Sequence, residues 1–294
     1  MGKLRFGPAD LPHTGTFIEA MVDLRKRGYS ACEIGFVRGF WLDYDEAAEL
    51  RAAAEDADVV LSVHAPLAAF MGHADDGKKF KMALGMLDHT AGLAKAAGAE
   101  VVVFHPGFLL ERDRADAIDA VVRQLGQLRE RLAKKERLVP FGVEVMGRVR
   151  DLGTADDVIE IARRMDGWIR PVLDFAHMHA TSDGAFTDTE AFARVLEAAD
   201  QVMENGAPFH IHISDIQFAN RNETKHLSYG EGTLRAEPLG EALSRFERPA
   251  TVISESPDEE SHQAIRAALE SALASSRRRS KASASSSRPR SRSS

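Results

Sequence analysis

Residues 208–232 read PFHIHISDIQFANRNETKHLSYGEG. Phe209 to Ile213 is a short apolar run of strand length, and His210 and His212, two residues apart, share one face of it. Asp215 follows, then a polar loop, then His226 and the turn Gly230-Glu231-Gly232. Histidines and carboxylates gathered at a strand end and in the loop behind it suit a divalent cation. Zinc and other borderline metals take imidazole nitrogen and carboxylate oxygen.

Working outward, the same kind of apolar run recurs along the chain. Strands are expected at Leu4–Gly7, Ala31–Phe36, Val59–His64, Glu100–His105, Phe141–Val145, Pro171–Phe175, Phe209–Ile213 and Thr251–Glu255. Their β-branched and apolar content suits burial on both faces, as in parallel sheets. Helical patterns alternate with them, over residues 14–28, 43–57, 77–97, 112–134, 154–165, 187–205, 236–246 and 258–274. Thr14 and Gly28 are good caps for the first helix, and Thr154 with Asp157 forms a capping-box variant. Eight strand–helix units predict an α/β fold, a single (β/α)8 barrel. No GxGxxG follows the first strand, which removes the usual signature of an open dinucleotide-binding sheet. No linker interrupts residues 1–274, so they read as one domain.

The 294 residues carry a net charge of −7, but unevenly. Residues 275–294, SSRRRSKASASSSRPRSRSS, hold seven Arg or Lys and no acid, which leaves the rest at −14. With no apolar residues to pack beyond alanine, this Ser/Arg tail is expected to be disordered and to contact nucleic acid or merely aid solubility. No apolar run approaches membrane-spanning length, and the N-terminal stretch lacks the apolar core of a signal peptide. The single cysteine, Cys32, has no internal partner. Together these predict a cytoplasmic protein, expected as a monomer, with no membrane association.

Barrel enzymes build their sites at the carboxyl ends of the strands. Strand three ends in His64, strand four in His105, and strand five carries Glu144. Strand six ends in Asp174 with His177 behind it, strand seven carries His212 with His226 in its loop, and strand eight ends in Glu255. One such residue is ordinarily a hydrogen-bonded structural group. Six consecutive strands delivering metal-type ligands to one rim call for cations to offset the buried charge. Eight candidates exceed the four that fill a tetrahedral zinc, so two or three ions are expected. Of the remaining histidines, His179 and His210 lie close enough to orient a ligand, while His13, His73, His89 and His262 are isolated.

The motifs around these residues are LSVHAPL, FHPG, FGVEVMGR, DFAHMHA, HIHISD and HLSYGEG. As a set they resemble the endonuclease IV family of apurinic/apyrimidinic endonucleases, within the xylose-isomerase-like barrels, over nearly all of residues 3–274. The resemblance implies a cluster of zinc ions, with manganese as a substitute. His64 and His105 would hold one ion and Glu144 would bridge it to a second. Asp174, His212 and Glu255 would complete the second, and His177 and His226 would hold a third. It implies hydrolysis of the phosphodiester 5′ to an abasic site in double-stranded DNA, with Glu144 or Glu255 taking the proton of the attacking water. Two positions depart from the family pattern. Thr224 stands where an Asp often precedes the last histidine, with Glu223 as the nearest carboxylate. Leu67 stands where the family tends to place an aromatic against kinked DNA. The competing reading is a sugar isomerase or epimerase of the same superfamily, which needs one metal and only Glu144, Asp174, His212 and Glu255. His64, His105, His177 and His226 weigh against it. A non-catalytic nucleic-acid-binding protein would not be expected to keep so complete a set.

Overall fold

The computed structural model describes residues 3–37, 39–75 and 77–286. Eight parallel strands form one sheet: β1 (Leu4–Pro8), β2 (Ala31–Gly35), β3 (Val60–His64), β4 (Val102–Phe104), β5 (Phe141–Glu144), β6 (Ile169–Asp174) and β7 (Phe209–Ile213), then β10 (Ala250–Ser254). A two-stranded antiparallel hairpin, β8 (Asp215–Ala219) and β9 (Asn222–Leu227), is inserted before the last barrel strand. The sheet order β1-β10-β7-β6-β5-β4-β3-β2 follows the chain around a circle, as a (β/α)8 barrel requires. The circle draws together between β1 and β2. There the Ser30 amide donates to the Phe6 carbonyl at 2.9 Å. A Cβ at Gly7 would lie 1.6 Å from the Ala31 carbonyl oxygen, so only glycine permits this approach.

The barrel interior is filled in layers. Val101, Val103 and Val172 form a buried plug, and Gly142 makes room for it, since a Cβ there would stand 2.5 Å from Val172 Cγ2. Strand register sets the next layers. Glu33 pairs with Ser62, and His210 with Val172 and Thr251. One step towards the carboxyl ends, His212 pairs with Asp174 and Ile253, and Gly35 with His64. Polar side chains therefore begin just above the valine plug and thicken towards the mouth.

The helices cover the outside: α1 (Phe17–Lys26), α2 (Tyr44–Asp56), α3 (Lys78–Ala96), α4 (Arg114–Lys134) and α5 (Ala155–Arg164), then α6 (Phe175–Thr181), α7 (Thr189–Asp200), α8 (Glu237–Leu243) and α9 (Glu259–Ser286). α4 buries Ile118, Val121, Leu125, Leu128 and Leu132 as its spacing predicts. The Thr154–Asp157 capping box forms at α5. α1 is capped by Thr16 rather than Thr14; the Thr16 hydroxyl accepts from the Glu19 amide. No helix among the described residues is long and apolar enough to cross a membrane.

The expected tail boundary at residue 274 moves. α9 continues to Ser286, so residues 275–286 of the stretch expected to be disordered are helical. Ile265, Leu269 and Leu273 bury the preceding turns against the barrel. A helix already nucleated by packing propagates easily through Ala, Arg and Lys. Arg279 also pairs with Glu241 of α8 at 2.8 Å. Residues 287–294 lie outside the described residues.

Candidate metal centre at the barrel mouth

All eight sequence-predicted residues meet at the carboxyl end of the barrel, with Glu144 of β5 at the centre. Its Oε2 lies 3.0 Å from His64 Nε2 and 3.0 Å from His105 Nε2, and its Oε1 lies 3.1 Å from His212 Nδ1. His212 Nδ1 is also 3.3 Å from Glu255 Oε1. Asp174 joins Glu144, His212 and Glu255 in a second group whose ligand atoms all lie within 4.8 Å of one another. A third group comprises His177, Glu223 and His226, with His177 Nε2 2.8 Å from Glu223 Oε2.

The hairpin decides that Glu223 enters and Thr224 does not. A register shift between Gln217 and Phe218 turns β9 so that Thr224 is exposed and its hydroxyl donates to the Gln217 carbonyl. The Glu223 amide donates to the Gly147 carbonyl at 2.8 Å. A Cβ on Gly147 would stand 2.5 Å from Glu223 Oε2, so glycine there leaves the carboxylate its berth. The MGR motif after Glu144 thus shapes the third group.

The donor set fits divalent cations. His64 Nδ1 donates to the Ala65 carbonyl and His177 Nδ1 to the Val145 carbonyl, both at 2.8 Å. In the neutral imidazole this tautomer leaves each Nε2 as a lone pair facing a carboxylate oxygen, an arrangement of two acceptors that needs a proton or a cation between them. His177 Nδ1 is also 3.1 Å from Asp174 Oδ2, but its proton is aimed at Val145, and Asp174 Oδ2 is buried without a hydrogen-bond partner. Ligand atoms around a tetrahedral zinc stand about 3.3 Å apart, and the separations around Glu144 and Glu255 run from 3.0 to 3.3 Å.

Without cations, protons must balance the cluster. Burial disfavours ionisation of Glu144, yet His212 and His105 overrule it and hold this carboxyl well below the usual range. Asp174 is pushed up to about 6 by burial, with Glu255 and Glu144 adding repulsion against the pull of His177. Burial lowers His64, but Glu144 overrules it and raises the imidazole to about 9. His177 and His212 are likewise raised well above their ordinary value, against burial, by Asp174 and Glu223 in one case and by Glu33, Glu255 and Glu144 in the other.

These shifts set a sign. A raised imidazole pKa means that the metal-free protein holds its proton at neutral pH, and metal must displace it. Zinc uptake at pH 7 is therefore expected to release protons, about three per chain if His64, His177 and His212 all give one up. Affinity should climb with pH until His64 deprotonates at about 9. Calorimetry in buffers of different ionisation enthalpy measures this. Uptake without proton release would contradict it.

Two groups escape the sequence reading. Glu33 of β2 and Ser62 of β3 are buried beneath the cluster, beside His210 and His212. The one signal is a lone acid in the apolar strand ACEIG, a residue that must find partners when buried. Asp215 is no ligand. Its carboxylate accepts from the amides of Gly230, Gly232 and Leu234 and pairs with Arg235, which ties down the YGEG turn. His179 faces Thr233 at 2.8 Å and stays outside all three groups.

A family model described as Xylose isomerase-like TIM barrel matches residues 22–276. An uncharacterized protein of Methanocaldococcus jannaschii is 29% identical over 257 residues, 86% of this chain and 92% of that protein. A probable endonuclease 4 of Latilactobacillus sakei subsp. sakei is 26% identical over 194 residues, 63% of this chain and 61% of that protein. Among solved structures, a D-tagatose 3-epimerase-like protein superposes with a TM-score of 0.73 at 19% identity, covering 94% of this chain and 99% of that one. At that identity the likeness is one of fold.

Proposed function

The chain belongs to the xylose isomerase-like TIM barrel family, and from that premise we propose that it is a metal-dependent phosphodiesterase that incises double-stranded DNA 5′ to abasic sites. The observation that carries this reading is the number of ligand groups. A one-metal sugar isomerase is served by Glu144, Asp174, His212 and Glu255 alone and has no use for His64, His105, His177, Glu223 and His226. Three adjoining groups instead suit a phosphate whose attacking and leaving oxygens both carry charge. The likeness to a probable endonuclease 4 supports the same reading.

Divalent cations at these groups would lower the pKa of a water and neutralise the phosphate. The remaining work falls to side chains. Glu144, 1% exposed, presents one oxygen to each of the first two groups and fixes their spacing. Glu255, with 20% of its side chain exposed, is the carboxylate of the second group that meets solvent and takes the proton of the attacking water. Exposed Trp41, Leu67, Phe108 and Val149 stand in the loops that follow β2, β3, β4 and β5, at the same rim. Leu67 replaces the aromatic of the resemblance, yet such an apolar rim still suits packing against unstacked bases.

The test is incision of a duplex oligonucleotide carrying one abasic site by zinc- or manganese-loaded protein. Cleavage on the 5′ side is expected, and none of an undamaged duplex. Turnover of ketohexoses without incision would establish the isomerase instead. In the same assay, truncation before Ser280 removes Lys281, Arg288, Arg290 and Arg292. If these side chains neutralise phosphates, DNA affinity falls and its salt slope flattens by up to roughly 0.9 for each phosphate left un-neutralised, with the saturated rate unchanged. Unaltered binding at low salt would leave the basic run without a role on DNA.

A further inference from the structure

Beneath the ligand groups, three hydrogen-bond donors converge on one carboxylate. Ser62 Oγ donates to Glu33 Oε2 at 2.7 Å, His210 Nε2 lies 3.0 Å from the same oxygen, and His212 Nε2 lies 3.2 Å from Glu33 Oε1. All four residues are at most 1% exposed. Glu33, Ser62 and His210 come from β2, β3 and β7, and strand register places them one layer below His212.

His212 is the pivot. Its two ring nitrogens face opposite carboxylate sets: Nε2 faces Glu33, and Nδ1 faces Glu144 and Glu255. A neutral imidazole carries one proton and can satisfy only one side as a donor. With the proton on Nδ1, the Nε2 lone pair would point at the Glu33 carboxylate, and the nitrogen nearest the ligand groups could not coordinate. With the proton on Nε2, Glu33 is satisfied and the Nδ1 lone pair is delivered to the mouth. Ser62 and His210 aim Glu33 by holding its Oε2, the oxygen to which His212 Nε2 also hydrogen-bonds at 3.4 Å.

We propose that Glu33, held by Ser62 and His210, is a positioning residue that fixes His212 as the Nε2–H form and turns Nδ1 towards the Glu144–Asp174–Glu255 group. The inference rests on the metal reading of that group, and it adds a residue outside the eight candidate ligands. Glu33, His210 and His212 could instead be taken as a fourth metal group. The Ser62 hydroxyl argues against that, because with His210 and His212 it already gives Glu33 three donors. A carboxylate so supplied is the partner of ligating histidines rather than a ligand itself.

The experiment is nitrogen-15 NMR of the histidine side chains, with zinc titration, on the wild-type protein and Glu33→Gln. In zinc-loaded wild type, His212 is expected to show a metal-bound Nδ1 and an exchange-protected Nε2 proton. In Glu33→Gln, that protection should be lost, and affinity for one zinc equivalent should fall by roughly 10- to 100-fold. The equivalent held by His177, Glu223 and His226 should be unmoved. A metal-bound Nε2 in the wild type would overturn the proposal, and this spectrum decides even if the variant fails to fold. So would a Glu33→Gln protein with unchanged protection and affinity, or a fourth zinc equivalent lost on the same exchange. Should the wild type bind no zinc, the metal reading fails by itself. The proposal then stands or falls on whether the Nε2 proton is still protected in the metal-free protein and exposed by Glu33→Gln.

Discussion

Glu144→Gln is expected to abolish incision and to remove more than one metal equivalent from each chain. Among the described residues Glu144 alone presents an oxygen to both of the first two groups, Oε2 to His64 and His105 and Oε1 to His212. Glutamine keeps the volume but brings a neutral amide, which offers one oxygen and sets an N–H₂ against the other group. Removing one charge-stabilising group from a reacting centre commonly costs roughly 10²- to 10³-fold. With two groups disturbed together, the loss should reach at least about 10³-fold. The barrel should survive, because the exchange is nearly isosteric and sits above the valine plug rather than within it. Far-ultraviolet circular dichroism should be native. Metal-free melting temperature should fall, since His212 and His105 lose the lowered carboxyl that pairs with them. A variant that cuts at the wild-type rate with its full metal content would remove Glu144 from the mechanism.

Glu223→Ala is expected to empty the third group alone. His177 and His226 would remain, with one carboxylate fewer and with His177 Nε2 facing the gap. One metal equivalent should be lost and incision should slow by about 10²-fold, the scale of losing one charge-stabilising element. The more informative variant is the double exchange Glu223→Ala with Thr224→Asp, which restores an acid at the position used by the family it resembles. It should not recover the metal, because Thr224 points to solvent and hydrogen-bonds back to the Gln217 carbonyl. The register shift at Gln217/Phe218 leaves Thr224 as the extra, unpaired residue of β9, so Glu223 rather than Thr224 shares the face of His226, and a carboxylate at 224 cannot reach the group without a slip of the hairpin. Recovery of a third equivalent in the double variant, or its retention in Glu223→Ala, would contradict the assignment.

The barrel and the rim of candidate ligands are legible because each strand announces both its burial and its end. Runs such as VVVFHPG and VISESP switch from apolar to ligand-bearing within a residue or two. What lies beyond reach is set by geometry rather than composition. The hairpin that carries Glu223 turns at Asn220 and Arg221, with φ of 51° and 61°, and has no glycine to signal it. Its strand β9 is half-exposed and polar, so it reads as loop. Whether position 223 or 224 faces the cluster depends on the shift at Gln217/Phe218, which leaves no mark in the residue types. DFAHMHA reads as a strand end, and Asp174 does close β6, but it also caps a short helix, its Oδ1 accepting from the His177 amide at 2.8 Å. That first turn carries His177 out to the third group. Glu33 escapes because a single acid in an apolar strand shows that partners exist but not which ones.

The central claim is that one chain holds three adjoining metal groups, and the direct measurement is metal content per chain. Wild-type protein is stripped, reconstituted with excess zinc, freed of loose metal and assayed by elemental analysis. Three equivalents are expected, falling to two in Glu223→Ala. A folded wild-type protein that retains only one equivalent would contradict the account and leave Glu144, Asp174, His212 and Glu255 as a single-metal site of the isomerase type.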